Sequence, residues 1–424
     1  MTANITELIQ NFVQENKGKI ADSIRANFRT YTMIIALVLI WILFGILTDG
    51  VFFTPRNLSN LVRQMILIAI LAIGMVPVIV TGNIDLSVGS VVGFISVIVA
   101  YCQFFIFPDI LAGAFPAWQA QTTFMGVETS MNGVLSTFLS IIVALIVGLV
   151  VGLWQGSLIA YLRIPAFIVT LGGYLGFKGG ILLVSGGRTI GPVENTLKSL
   201  GQGYVPKTLG LILAILVVAC IFAITLYSRK QKFKYGFEKY PLSKDIFKAG
   251  VISSVVLFYV LYVANGYEGI QIPVLLMVII LLIFHYITNN TKFGRYIYAL
   301  GGNQEATRLS GINTQKVVFK VFVLMGILCA LCGVVLTGYV GMGTTTGGAY
   351  YELFTIAACV IGGTSLMGGE GAVAGAVVGA LVIGSLNNGM DILGWTTSKQ
   401  WVVQGLVLIL AVFVDVQSKR KGKS

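Results

Sequence analysis

The sequence predicts an all-α, polytopic membrane protein of about 12 transmembrane helices, on three observations. Of its 424 residues, 56% are hydrophobic and 10% charged, with a mean hydropathy of +0.91, far outside the range of a soluble domain of that length. Apolar stretches long enough, or nearly so, to cross a hydrocarbon core of about 30 Å recur throughout. The lysines and arginines are sorted by loop and do not cluster with aromatics on one face. The formal charge of +12 therefore reads as topology and not as nucleic-acid binding.

Residues 1–31 are polar and weakly amphipathic, without the early apolar core and small-residue cleavage site of a secretory signal. They are read as a cytoplasmic surface segment leading into the first span. The spans are expected near 32–48, 61–80, 88–107, 134–154, 165–184, 208–228, 248–264, 272–288, 317–341, 353–367, 371–392 and 400–417, the whole occupying 32–418. The 353–367 stretch is short and bounded by glycine, so a broken or re-entrant element is the other reading. With this order, one side carries twenty Lys and Arg residues, in the N-terminal segment, Arg163, the 229–248 and 289–316 loops and the basic tail 419–424. The opposite side carries five, and its long loop 108–133 has none. The positive-inside rule makes the first side, with both termini, cytoplasmic.

Two breaks interrupt the apolar pattern. In Thr81–Ser90, Asp85 or Ser87 is placed to cap a helix starting at Val88, and Asn83, Asp85 and Ser87 also suit a hydrated path whose groups bond a polar solute. The second break, Gly362–Gly371, contains Thr364, Ser365 and Glu370 and can be laid beside the first as a weak internal repeat. Irregular backbone at membrane depth survives only beside protein or water, which puts both breaks near a translocation axis.

Glycines at 148, 152 and 156, at 371, 375 and 379, and at 89 and 93 form ladders for close helix packing. Cys329 and Cys332 read as small packing residues, and His285 as an interfacial side chain. Asn387, Asn388 and Asp391, close to Trp395 and Trp401, suit either a polar external vestibule or an interfacial anchor. The only Gly-Lys-Ser, Gly422–Ser424, lacks the first glycine of a phosphate-binding loop. No catalytic constellation is visible, so no enzyme activity or bound cofactor is expected of the chain itself.

The most punctuated stretch lies between the eighth and ninth expected spans. Asn303 suits a helix cap, Glu305 the first turn, Arg308 the last turn and Gly311 the end. Ala306, Leu309 and Ile312 then share one side, as an apolar knob on a helix too short to stand alone. A connector on the membrane surface and a docking element are both compatible with that pattern.

Four blocks carry a resemblance to a known family. They are GNIDLSVGS, IPAFIVTLGGYLGFKGGILLVSGGRTI, FGRYIYALGGNQEATRLSGI and VIGGTSLMGGEGAVAGAVVGALVIGSLNNG, in the expected order. The chain resembles the membrane permease subunits of ABC-type monosaccharide importers, the ribose, xylose and galactose permease family, in its longer xylose-type or multiple-sugar branch. The resemblance implies a ten-span, type II-like importer core, here with an inserted helix pair at about 208–264. It implies that Gly302, Asn303, Glu305, Ala306, Arg308, Leu309 and Gly311 form a coupling helix docking into a cytoplasmic ATPase subunit, which binds the ATP. It further implies an extracytoplasmic sugar-binding protein, a second permease copy and the bacterial cytoplasmic membrane. The expected substrate path runs through Asn83, Asp85, Ser87, Thr364, Ser365, Asn387 and Asn388. A permease for a nucleoside or another small polar solute is the alternative within the family. An ion-driven secondary transporter is the alternative outside it, although such transporters typically bury several acids or an acid–base pair in their spans. A non-transporting membrane scaffold is the third reading.

Overall fold

A computed structural model describes residues 28–124, 126–235 and 242–421; the expected N-terminal surface segment and Gly422–Ser424 lie outside them. Its helices are α1 (Phe28–Leu47), α2 (Pro55–Val80), α3 (Val88–Ala114), α4 (Met131–Ala160), α5 (Ala166–Ser185), α6 (Asn195–Gln202), α7 (Lys207–Lys234) and α8 (Leu242–Ala264). They continue as α9 (Ile272–Asn290), α10 (Lys292–Gly302), α11 (Gln304–Leu309), α12 (Thr314–Val340), α13 (Tyr351–Ile361), α14 (Val373–Ile392) and α15 (Thr397–Lys421). Among the described residues, nine helices are long and apolar enough to cross a membrane. The expected spans 32–48 and 353–367 coincide with shorter apolar helices, Met33–Leu47 and α13, while 400–417 falls within α15. With 11 residues, α13 rises about 16 Å, roughly half of a hydrocarbon core.

The packing is centred on α2. Its residues from Met65 to Val80 are all buried, because α9, α12, α13 and α14 surround it. Around it, α12 also packs on α3 and α4, and α3 on α5. Glycine makes the crossing of α4 and α12 close: a Cβ on Gly148 would collide with the Gly326 carbonyl, and one on Gly326 with the Gly148 carbonyl. Gly152 and Gly156 continue that seam along Phe322 and Phe319. In the second ladder, Gly375 and Gly379 lie against Gly362 and Ala358, so α14 and α13 are backbone neighbours. A smaller cluster of Phe44, Phe52, Leu58, Leu61, Val263, Leu386 and Met390 ties α1 and the C-terminal end of α8 to α2 and α14.

Local chemistry sets the ends. Ser130, Thr291, Asn303 and Asn313 each accept a hydrogen bond from the amide three residues on, and Gly186 and Gly341 leave α5 and α12 through left-handed conformations. At the end opposite the 292–316 loop, β1 (Gln121–Phe124) pairs antiparallel with β2 (Val127–Ser130). There too β3 (Tyr204–Val205) pairs with β4 (Ile270–Gln271), and the Ile272 amide donates to the Gly203 carbonyl at 3.0 Å. That clasp closes the base of the α7–α8 hairpin, so the chain leaves and rejoins the bundle at adjacent points. The hairpin's other end is held by Arg229 and Asp245, 2.7 Å apart.

The glycine seam predicts an asymmetric response to the smallest substitution. Gly326→Ala forces α4 and α12 apart and should lower stability by about 1–3 kcal/mol, whereas Gly172→Ala, with nothing within 4 Å of the new Cβ, should leave it unchanged. Thermal melts of the two variants in detergent check this.

Candidate functional site

The residues from Thr291 to Asn313 form two short helices that carry the end of the bundle. Asn303 Oδ1 accepts from the Ala306 amide at 2.9 Å, capping α11. The Thr307 side chain is buried and its hydroxyl donates to the Asn303 carbonyl at 2.7 Å. Arg308 and Glu305 pair at 2.6 Å on the exposed side, and the carboxylate pushes the guanidinium's pKa further up. Gly311 takes φ +80° immediately after the helix, a conformation that costs a β-carbon about 1–2 kcal/mol. Leu309 is 77% exposed and Ala306 is exposed beside it. Ile312 departs from the expected knob: it is half-buried against the main core, because the left-handed turn at Gly311 rotates the chain before it. The outward apolar surface is therefore Ala306 and Leu309.

Both sequence breaks converge under this element. The Gly369 amide donates to the Val80 carbonyl at 2.9 Å, closing the end of α2 with the second break. Gly301 lies against both: a Cβ there would collide with the Val80 carbonyl and the Gly369 amide. The Tyr298 hydroxyl donates to the Gly371 carbonyl at 2.8 Å, and Ser365 N–H to the Glu370 carbonyl at 2.9 Å. Beside this junction is a cleft of about 900 Å³ lined by Thr81, Asn83, Arg163, Asn303, Glu305, Arg308 and Met367 among others.

Within the first break, Asp85 Oδ1 accepts from the Ser87 amide at 2.8 Å and the Ser87 hydroxyl at 2.7 Å. Ser87 Oγ in turn accepts from Gln155 Nε2 of α4 at 2.8 Å. Asp85 and Ser87 are buried, so their polar atoms organise the start of α3. Asn83 faces the cleft and donates to Thr81 Oγ1 at 3.1 Å. Thr364 and Ser365 are buried in the second break. Asn387 and Asn388 stand apart, towards the opposite end of α14. There Asn388 Oδ1 accepts from Asn57 Nδ2 at 2.8 Å and Asn387 Oδ1 from Gln404 Nε2 at 2.7 Å. The structure thus brings the first five of these residues to one end and leaves the two asparagines at the other.

Two polar features take on roles that the sequence reading did not give them. Gly341–Tyr350 is not a surface connection but an irregular segment running down α3, with Gly343 against Ala100 and Gly348 against Gly89. It delivers Glu352, 6% exposed, to the first turn of α13. Its signal is three threonines, 344–346, between glycines. The second is Arg63, whose guanidinium bonds the Tyr204 hydroxyl and lies over the Tyr204 and Tyr339 rings; a lone arginine inside an apolar run was its mark.

Residues 57–412 match the family model of the branched-chain amino acid transport system / permease component. The chain is 38% identical over 395 residues to the xylose transport system permease protein XylH of Haemophilus influenzae, covering 93% of this chain and 98% of that one. It is 37% identical to the protein of the same name in Escherichia coli K12, covering 93% of each. It is 32% identical over 364 residues to the ribose import permease protein RbsC of Escherichia coli K12, covering 86% of this chain and 87% of that one. No solved structure matches.

The hydrogen bonds at Asp85 are all donated to it, so a neutral acceptor should replace it. Asp85→Asn should keep the thermal stability of the detergent-solubilised protein, and Asp85→Ala should lose about 1–2 kcal/mol with the cap.

Proposed function

The chain belongs to the permease-component family of branched-chain amino acid transport systems and is the permease subunit of an ABC sugar importer; from that premise we propose that its cargo is a pentose, xylose first. The XylH relatives, covered over nearly their whole length, support xylose above ribose. The permease itself is non-catalytic and passes the sugar by alternating access. A separate cytoplasmic ATPase binds and hydrolyses ATP, and an extracytoplasmic binding protein delivers the sugar. Two permease copies assemble in the bacterial cytoplasmic membrane with both termini cytoplasmic, the α10–α11 end facing the ATPases.

The observation that carries this reading is the exposed, capped α11. A helix of 6 residues has no stability of its own, yet Asn303, Thr307 and Gly311 fix both its ends while Ala306 and Leu309 face outward. Gly302, Asn303, Glu305, Arg308 and Gly311 hold its shape, and Leu309 is the surface that enters the ATPase cleft. Behind it, Gly301 joins the lever to both breaks without an intervening side chain. Tilting α11 therefore displaces the ends of α2 and α14 together, and the cleft lined by Asn83 leaves room for the movement. Asn83, Thr364 and Ser365 stand at the cytoplasmic end of the sugar's path, with Asp85 and Ser87 setting its wall. Asn387 and Asn388 stand towards its external end.

Removing the apolar contact tests the reading. Leu309→Asp should weaken ATPase association by about 2 kcal/mol, roughly thirtyfold, and abolish ATP-dependent xylose uptake into vesicles, with the fold unchanged by thermal melt. Uptake driven by a proton or sodium gradient without the ATPase would contradict it.

A further inference from the structure

Three buried or strained features sit together halfway through the bundle, away from the coupling end. Glu352 packs beside Gly89. The preceding carbonyl, Val88 O, accepts from Cys329 Sγ, which is near the middle of α12. Glu352 is thus at mid-depth, in the first turn of a half-length helix. An acid there has an ordinary reading, capping its own helix against the dipole. That reading accounts for only part of the carboxylate. Glu352 Oε2 is buried without a hydrogen-bond partner, and one turn along the same helix so is Thr355 Oγ1, whose residue is 0% exposed. Each such atom costs about 1–3 kcal/mol, and two at one half-helix N-terminus mark a place that something polar completes.

The segment above it points the same way. Gly341–Tyr350 descends from the external end to this depth without forming a helix, and Tyr350 holds a left-handed φ of +64° just before α13. Thr344 and Thr345 are half-exposed and Thr346 exposed. Irregular backbone with open hydroxyls at membrane depth cannot face lipid, so water or protein covers it. On α5, Lys178 is exposed in the middle of the span, its Nζ 3.3 Å from the Tyr174 hydroxyl. Charges of both signs at this depth indicate a wet path. They also select its cargo. The carboxylate disfavours an anion and the ammonium a cation, whereas a neutral polyol offers hydroxyls that donate to Glu352 and accept from Lys178 and the threonines.

We propose that Glu352, Thr355 and the Thr344–Thr346 turn, with Lys178 of α5 at a similar depth, form a midway sugar-hydroxyl site on the translocation path. This rests on the pentose-importer reading above. It adds a specificity-determining site in the permease itself, where the first turns of α3 and the half-length α13 meet.

The test uses the complete importer, with its ATPase and binding protein, in membrane vesicles. Cys220 is the exposed one of five free cysteines, so Thr346→Cys is made in a Cys220→Ser background and treated with a membrane-impermeant methanethiosulfonate reagent. The expected result is labelling that saturating xylose slows. In parallel, Glu352→Ala should lower xylose uptake about tenfold or more, the loss of a charged hydrogen-bond acceptor, while Glu352→Gln, which keeps one acceptor and the shape, should retain more than Glu352→Ala. An unreactive Thr346→Cys, or unchanged uptake by Glu352→Ala, overturns the inference. If wild-type vesicles import no pentose, the reading of the cargo fails instead. Thiol reactivity then still decides this site, because an aqueous path is required whatever the solute.

Discussion

Inside a bilayer every amide and carbonyl needs a partner within the protein, and this chain breaks its helices in three places where that demand is most expensive. The fold is the set of bonds that meets it. Val80, at the end of α2, gives its carbonyl to Gly369 of the second break. Asp85 and Gln155 close the first break around Ser87. The third, Gly341–Tyr350, is pinned at the end opposite α10 and α11, where Ile190 and Gly343 exchange amide hydrogen bonds at 2.9 and 2.8 Å. Each repair joins segments distant in sequence, so the broken ends become the places where the bundle is cross-linked.

On the coupling role proposed above, that arrangement lets a small surface element act on a large apolar body. A helix buried on all sides, as α2 is from Met65 to Val80, moves as a rod or not at all. Its end carbonyl touches the loop that carries α11, through a glycine with no side chain to absorb displacement. The lever is stiff because its ends are capped and its Thr307 is buried. The peripheral α7–α8 hairpin, clasped only at its base by β3 and β4, lies outside this line of force.

Legibility from sequence follows the range of the interactions. The limits of α11 are local: Asn303, the Glu305–Arg308 pair and Gly311 act within one helical turn, and the geometry matches the reading residue for residue. The glycine ladders are periodic, so their role as contact faces was readable too, though not which helix each meets. Ile312 was misassigned because helical spacing was carried through Gly311, where the backbone turns left-handed. The partner of Ser87 is Gln155, 68 positions away, and no local signal announces it. Gly341–Tyr350 resembled a connection because glycine and threonine are ordinary loop residues; only its placement against α3 makes it an element at membrane depth.

The central claim is that force enters the bundle where Gly301 meets Val80 and Gly369. The most direct measurement is the ratio of xylose imported to ATP hydrolysed by the reconstituted importer carrying Gly301→Val. The account predicts that the ATPase still binds and hydrolyses ATP while import per ATP collapses, because the lever is prised off the broken ends. An unchanged ratio in a folded, assembled complex would contradict it.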